Sequence, residues 1–403
     1  MTTQPVAMAN VGAPTAARLR SAEELCAAVV LASAVFLGSL FKGAWLIDWQ
    51  GFAIPSDFVN VWAAGRLVLE GHPAAAYDWT IHKQAEVEAL GHAFATYGSW
   101  SYPPPFLFVG AVLAKLPYFA AFAVWMGVTW AVFAVTLRDI VGHRLGLFLA
   151  GAFPATWLNV SVGQNGFFTA ALIGGTLLLL EKRPVLAGVC LGILTYKPQF
   201  GLLFPLVLVV AGYWRAFAAA AVVAVAMALA SYIAFGSEAW VAFFAATPMN
   251  AKAVLSDGMI DFAKLQSVFG LVRALGGSET TAWWFQIPTA LATAVGVAIL
   301  WRRQVPFELK AAALAIGTLF ITPYVFAYDL TILALSTAFL IRLGLRTGFW
   351  SGEAAALIAA AVCILLFPFA VMPTGLLAML VATALILRRV MVGGRPLSAE
   401  ARS

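Results

Sequence analysis

Apolar residues run along the chain in long blocks, and polar residues are confined to the gaps between them. The first block covers Leu25 to Ile47, and others cover 118–137, 143–160, 166–180, 184–196, 199–211 and 215–235. After a polar gap come 283–301, 306–322, 326–341, 353–368 and 372–388. Since about 20 apolar helical residues cross a bilayer, this pattern predicts about twelve spans. Blocks 184–196 and 199–211 are short and flank Lys197-Pro198, which predicts broken or tilted helices there. The run at 104–116, after Tyr102 and three prolines, is too short to cross and is expected to pack on protein, because bare backbone cannot face lipid. Phe58, Val59, Val61, Trp62, Leu67 and Leu69 form a largely apolar stretch that predicts an interfacial helix after Asp57, and a second, polar helix is expected at 80–94. The fold class is therefore all-α: a polytopic membrane helical bundle in one domain over 1–403. Two long polar segments, 48–103 and 237–282, interrupt it.

Composition excludes the soluble classes. Hydrophobic residues make up 63% and charged ones 10%, with a mean hydropathy of +0.92. The first block is longer than the apolar core of a signal peptide and reads as an uncleaved span. Cys26, Cys190 and Cys363 lie far apart in apolar runs and suggest neither a disulfide framework nor a metal site. His72, His82, His92 and His143 show no metal-ligand spacing and read as solvated side chains. Neither a phosphate-cradling glycine loop nor a dinucleotide fingerprint is present, so no cofactor and no metal is expected.

The net charge of +6 is explained by orientation rather than by nucleic acid. Alternating twelve spans from an inner N-terminus puts sixteen of the 24 Lys and Arg residues inside, Arg395 and Arg402 of the C-terminal tail among them. Both termini are then inner, and both long polar segments are outer, as expected for a plasma-membrane protein. The short turns "SVGQNG", "TYKPQ" and "TPYVFAYD" fall on that same outer face. Loops held by a rigid scaffold are where sites form.

Each polar candidate on that face has two readings. Asp57 opens a helix, where it serves either as a cap or as a general base at the lip of the bilayer. Tyr102, in "WSYPPPF", belongs to an aromatic belt or to a rigid cleft wall. Gln164 and Asn165 offer amides that both donate and accept, suited to sugar hydroxyls, unless Asn165 only caps the next helix. Lys197 either snorkels to the interface or meets a lipid phosphate. Tyr328 and Asp329 begin another span, as cap, bundle residues or substrate contacts. Asp257 and Asp261 form a carboxylate pair without an evident third ligand for a cation. A transporter or flippase would use a similar bundle but place polar residues near the bilayer midplane. A non-catalytic assembly factor would need neither Asp57 nor Lys197.

"PSDFVNVWAAGRLVLEGHPAAAYD", "YPPPFLFVGAVLAKLP", "GQNG" and "YKPQ", in that order over roughly residues 50–210, resemble glycosyltransferase family 87. These are polytopic, mannosyltransferase-like enzymes of the GT-C superfamily. The resemblance implies an inverting transfer of a sugar from a polyprenyl-phosphate carrier to a lipid-linked or glycan acceptor on the outer face. It implies that Asp57 is the catalytic base and that Lys197 suits the carrier phosphate. Members that mannosylate glycolipids tend to carry histidines near a proline in the later spans. Here "TPYVFAYDL" has Tyr328 and Asp329 instead, which leaves the donor sugar open.

Overall fold

The computed structural model describes residues 10–11, 16–94 and 100–393. Arg395 and Arg402, assigned inside by the charge count, lie outside the described residues, as does the stretch 95–99 of the first polar segment. The described chain is helical: α1 (Ala16–Leu40), α2 (Phe58–Leu69), α3 (Trp79–Leu90), α4 (Leu107–Leu113), α5 (Tyr118–Val141), α6 (Leu145–Ala152), α7 (Pro154–Val162), α8 (Gly166–Leu179) and α9 (Pro184–Ile193). There follow α10 (Leu203–Val210), α11 (Trp214–Leu255), α12 (Val268–Ala274), α13 (Glu279–Arg302), α14 (Phe307–Phe320), α15 (Thr331–Thr347), α16 (Glu353–Leu365) and α17 (Thr374–Gly393). Asn10–Val11 and Phe349–Trp350 pair as a two-residue antiparallel ladder.

Six helical segments are long and apolar enough to cross a membrane, and α6 with α7, bent by 54°, would make a seventh. The protein is an integral membrane helical bundle, but helix length does not support twelve spans. The expected blocks at 166–180, 184–196, 199–211 and 306–322 contain α8, α9, α10 and α14, of 14, 10, 8 and 14 residues. Hydropathy cannot separate such short helices from spans, because a helix enclosed by protein is as apolar as one enclosed by lipid. α14 and α15 are buried almost throughout and form the core. α11 breaks at Gly236, whose φ of 76° is left-handed and favours glycine. The helical segment that follows the break fills the first part of the expected loop 237–282.

The two ends of the bundle differ in chemistry. At one end buried acids each hold arginine: Glu23 with Arg144 at 2.7 Å, and Glu308 with Arg342 at 3.4 Å and with Arg346. Glu353 likewise pairs with Arg389. Arg342 also donates to the carbonyl of Ile140 near the C-terminus of α5. The other end of α5 is Tyr118, whose hydroxyl lies 3.0 Å from the Ser56 hydroxyl. At about 1.5 Å per residue, the 24 residues of α5 separate the ends by roughly 36 Å. Asp57 therefore sits about one bilayer core away from the arginine-rich end.

Its helix is positioned by backbone contact. A Cβ at Gly65 of α2 would lie 2.0 Å from the carbonyl oxygen of Gly110 in α4, so the two helices touch where neither has a side chain. Gly65→Ala is expected to force α2 away from α4 and destabilise the protein by about 1–3 kcal/mol, the usual cost of overpacking. Thermal unfolding in detergent measures this, and an unchanged midpoint would contradict the contact.

Candidate active site

Asp57 precedes the first turn of α2 but does not cap it. Its backbone is helical, φ −60° and ψ −20°, and its side chain accepts no cap hydrogen bond. Capping requires an extended residue whose side chain folds back onto the free N–H groups. Asp78 supplies the comparison within the same chain: at φ −84° and ψ 116° it accepts from Thr80 N at 2.9 Å and Ile81 N at 3.0 Å. The Asp57 carboxylate is thus left for other partners.

Its partner is Gln164, whose Nε2 donates to Asp57 Oδ2 at 3.1 Å. Gln164 Oε1 accepts from the Tyr102 hydroxyl at 3.2 Å, and that hydroxyl accepts from Asn165 Nδ2 at 2.7 Å. Asn165 Oδ1 accepts from Lys197 Nζ at 2.8 Å, and Lys197 Nζ donates to Asp329 Oδ1 at 2.7 Å. Asp329 Oδ2 accepts from the Phe326 N–H at 3.0 Å. Tyr328 lies beside the same cation, its ring centroid 5.0 Å from Lys197 Nζ. All seven sequence candidates therefore meet in one cluster, six of them in a continuous hydrogen-bonded chain.

The direction of that chain is dictated by one residue. An ammonium only donates, so Asn165 must turn its oxygen to Lys197 and its NH₂ to Tyr102. Tyr102 must then donate onward to Gln164, whose NH₂ faces Asp57. Every donor in the line points from the cation towards the Asp57 carboxylate, the arrangement in which successive bonds polarise one another. Burial pushes the Tyr102 phenol above its ordinary range, which keeps it a donor.

Local sequence explains each placement. Lys197 falls between two 3₁₀ turns, Leu194–Tyr196 and Pro198–Phe200, and the following proline holds it out of the helical region at φ −133°. That break turns it inward, so it is buried and paired rather than snorkelling. Asn165 does not cap α8; Asn159 Oδ1 accepts from Gly166 N at 2.9 Å instead. A Cβ at Gly166 would lie 2.4 Å from the Tyr328 carbonyl, so this glycine lets α8 approach the loop that carries Asp329. Trp100 is fully buried and stacks on Phe106, whose ring stacks in turn on Tyr196; it is not an interfacial belt residue.

Asp57 is exposed, yet protein walls it closely enough that desolvation raises its carboxyl above the usual range. The Gln164 hydrogen bond and the charges of Lys264 and Lys197 pull it back down, while Glu86 pushes it further up. Lys264 and Glu86 are residues that the sequence reading missed. Lys264 is exposed on the 3₁₀ turn Phe262–Lys264, which is capped by Asp261 and docked through Leu265 to Phe326 and through Gln266 N to Val325 O. No ion pair or hydrogen bond occupies its ammonium among the described residues.

The remaining candidates scatter. Asp257 pairs with Lys252 at 3.2 Å and Asp261 caps a turn, so they form no joint cation site. Of the histidines expected to be solvated, His72 is exposed, His92 and His143 are partly exposed, and His82 is not solvated. His82 is fully buried beside Glu86, His92 Nε2 lies 2.7 Å from the Ala53 carbonyl, and His143 lies 3.5 Å from Glu23. His82, Glu86 and Leu90 form the buried stripe of α3, and the polar character of that helix had hidden it.

Comparison with known proteins supplies the family. Neither the curated proteins nor the solved structures include a match. The profile of glycosyltransferase family 87 matches residues 100–323, which includes Tyr102, Gln164, Asn165, Lys197 and Lys264. Asp57 and Asp329 lie outside the matched stretch, whereas the resemblance read from the sequence began near residue 50 and faded after 210. The match spans more than half of the chain, and the protein, a membrane glycosyltransferase, belongs to glycosyltransferase family 87.

Proposed function

We propose that this transferase moves a sugar, with inversion, from a polyprenyl-phosphate carrier to a lipid-linked or glycan acceptor, with Asp57 as general base. The observation that carries the reading is Asp57 itself: an exposed carboxylate, free of any capping duty and raised in basicity, at the head of a directed hydrogen-bond chain. In the step proposed, the acceptor hydroxyl oxygen bonds to the anomeric carbon as the bond from that carbon to the phosphate oxygen breaks. The bonding electrons leave with the phosphate, and the hydroxyl proton passes to Asp57.

The leaving phosphate needs a cation. Lys197 was the expected one, but Asp329 and Asn165 already hold it in the interior. Its proposed role is therefore to fix the direction of the chain that ends on Asp57. Lys264 is the open cation on the same rim and is proposed to meet the phosphate, while Gln164 and Tyr328 line the sugar site. The arginine-rich opposite end supports an inner location for that end and an outer, plasma-membrane location for the site.

Incubating membranes with labelled polyprenyl-phosphate mannose and related sugars is expected to yield a labelled lipid or glycan in the presence of EDTA. Transfer from a nucleotide sugar alone, or a manganese requirement after EDTA, would overturn the reading. Cysteine labelling at Gly91 is expected from the outer side, and labelling from the cytosol would remove the proposed face.

A further inference from the structure

Against the first turn of α2, which follows Asp57, lies a buried ionisable group to which the proposed mechanism assigns no part. Glu86 of α3 is 2% exposed and His82, one turn earlier, is 0% exposed, although both belong to a polar helix of the first segment. Among the described residues no hydrogen bond reaches either ring nitrogen of His82 or Glu86 Oε2. Glu86 Oε1 meets Asn60 Nδ2 at 3.4 Å, and His82 and Lys83 lie 3.5 and 3.7 Å from the carboxylate. Asn60 stands three residues after Asp57, on the same face at the start of α2. Burying an ionisable group with incomplete hydrogen bonding is costly, so a merely structural helix contact would be served better by an apolar pair.

We propose that Glu86 is a positioning residue that, through its charge beside the turn bearing Asp57, keeps Asp57 basic enough to accept the acceptor's proton. The inference rests on the reading of Asp57 as general base. Lys83, 3.7 Å away, offsets part of the Glu86 charge, but water does not screen a buried carboxylate well, so the remaining field reaches the neighbouring carboxylate and disfavours a second negative charge. The groups that face Asp57 are few. Gln164 donates to it, Lys264 and Lys197 act as cations, Glu86 is the anion, and the phenols of Tyr102, Tyr118 and Tyr328 complete the surround. Of these, Glu86 alone opposes ionisation of Asp57 by charge, and it does so from a separate helix packed on α2.

The test reads Asp57 directly. Infrared titration of the purified full-length protein in nanodiscs identifies the Asp57 carboxyl band as the one lost in Asp57→Asn. In Glu86→Gln, which keeps volume and an acceptor for Asn60, the Asp57 midpoint is expected to fall, because the opposing charge is gone. Glu86→Asp keeps the charge and is expected to hold the midpoint near that of the wild type. Glu86→Met gives the same reading as the amide if the amide does not fold. An unchanged midpoint in a folded uncharged variant would overturn the proposal, and so would an equal fall in Glu86→Asp, which would assign the effect to packing. A pH–rate profile with labelled polyprenyl-phosphate mannose separates the two readings. A midpoint that moves in Glu86→Gln, with a wild type that transfers no sugar from any of the labelled carriers, keeps the charge effect of Glu86 and sinks the transfer role of Asp57. Active transfer with a fixed midpoint removes Glu86 alone.

Discussion

Asp57→Asn is expected to lower sugar transfer by about 10²- to 10⁴-fold, the usual contribution of a general base, in a protein that still folds and inserts. Asparagine preserves the shape and an acceptor for Gln164 Nε2, so the hydrogen-bond chain persists while the proposed proton acceptor is lost. The folded state also tolerates the change. A carboxyl whose folded pKa lies above its unfolded value opposes folding at pH values above the ordinary carboxylate range, and this penalty disappears as the pH falls below it. Removing the charge is therefore expected to leave thermal stability at pH 7 unchanged or slightly raised. For the wild type, the same upward shift predicts that activity falls on acidification at a pH above the usual carboxylate value of about 4. Measured turnover of the asparagine protein decides the matter: retention of more than about a tenth of the wild-type rate would reduce Asp57 to a bystander.

Asp329→Leu is expected to be the most destabilising single change at the site. It leaves the Lys197 ammonium buried with one neutral partner, Asn165, and loss of one member of a buried ion pair costs about 3–5 kcal/mol. The double variant Lys197→Met/Asp329→Leu removes both charges and is expected to recover most of that stability, because an apolar pair fills the space without a desolvation cost. Activity should not recover with it. Without the ammonium nothing compels Asn165 to present its oxygen inward, and the chain through Tyr102 and Gln164 loses its imposed direction. Thermal unfolding of the two proteins, followed by transfer assays on the double variant, separates these effects. Equal stability of single and double variants would show that the pair is not coupled.

Much of this arrangement was legible in the residues. The polar turns between apolar blocks marked Gln164, Asn165, Lys197, Tyr328 and Asp329. The change from apolar to polar periodicity after Asp57 anticipated α2 and α3 to within a few residues. Two kinds of information were hidden. Hydropathy reports what a helix avoids, not what covers it, so it did not reveal that α8 and α14 are only 14 residues long and largely enclosed by protein. Partners distant in sequence were also hidden: that Lys197 belongs to Asp329, and that Glu86 rather than water faces His82, follows only from packing. A His and a Glu four apart on one helix face was the available signal for the second pair, and it was outweighed by the polar character of α3 as a whole.

The ion pair at the far end of the chain has a consequence for how the protein is made. Lys197 and Asp329 are separated by 132 positions, and the intervening chain includes the whole of α11 and α13. At a synthesis rate of about 5–20 residues per second, the lysine leaves the ribosome roughly 7 to 26 seconds before its counter-charge does. During that interval the nascent α9–α10 break holds an ammonium with no carboxylate to receive it. A buried unpaired ammonium is costly, so the break is expected to stay at the wet margin of the insertion machinery, its helices undocked, until more than four-fifths of the polypeptide has been threaded. Assembly of the site is in this sense a late event of biogenesis, timed by the arrival of a single aspartate.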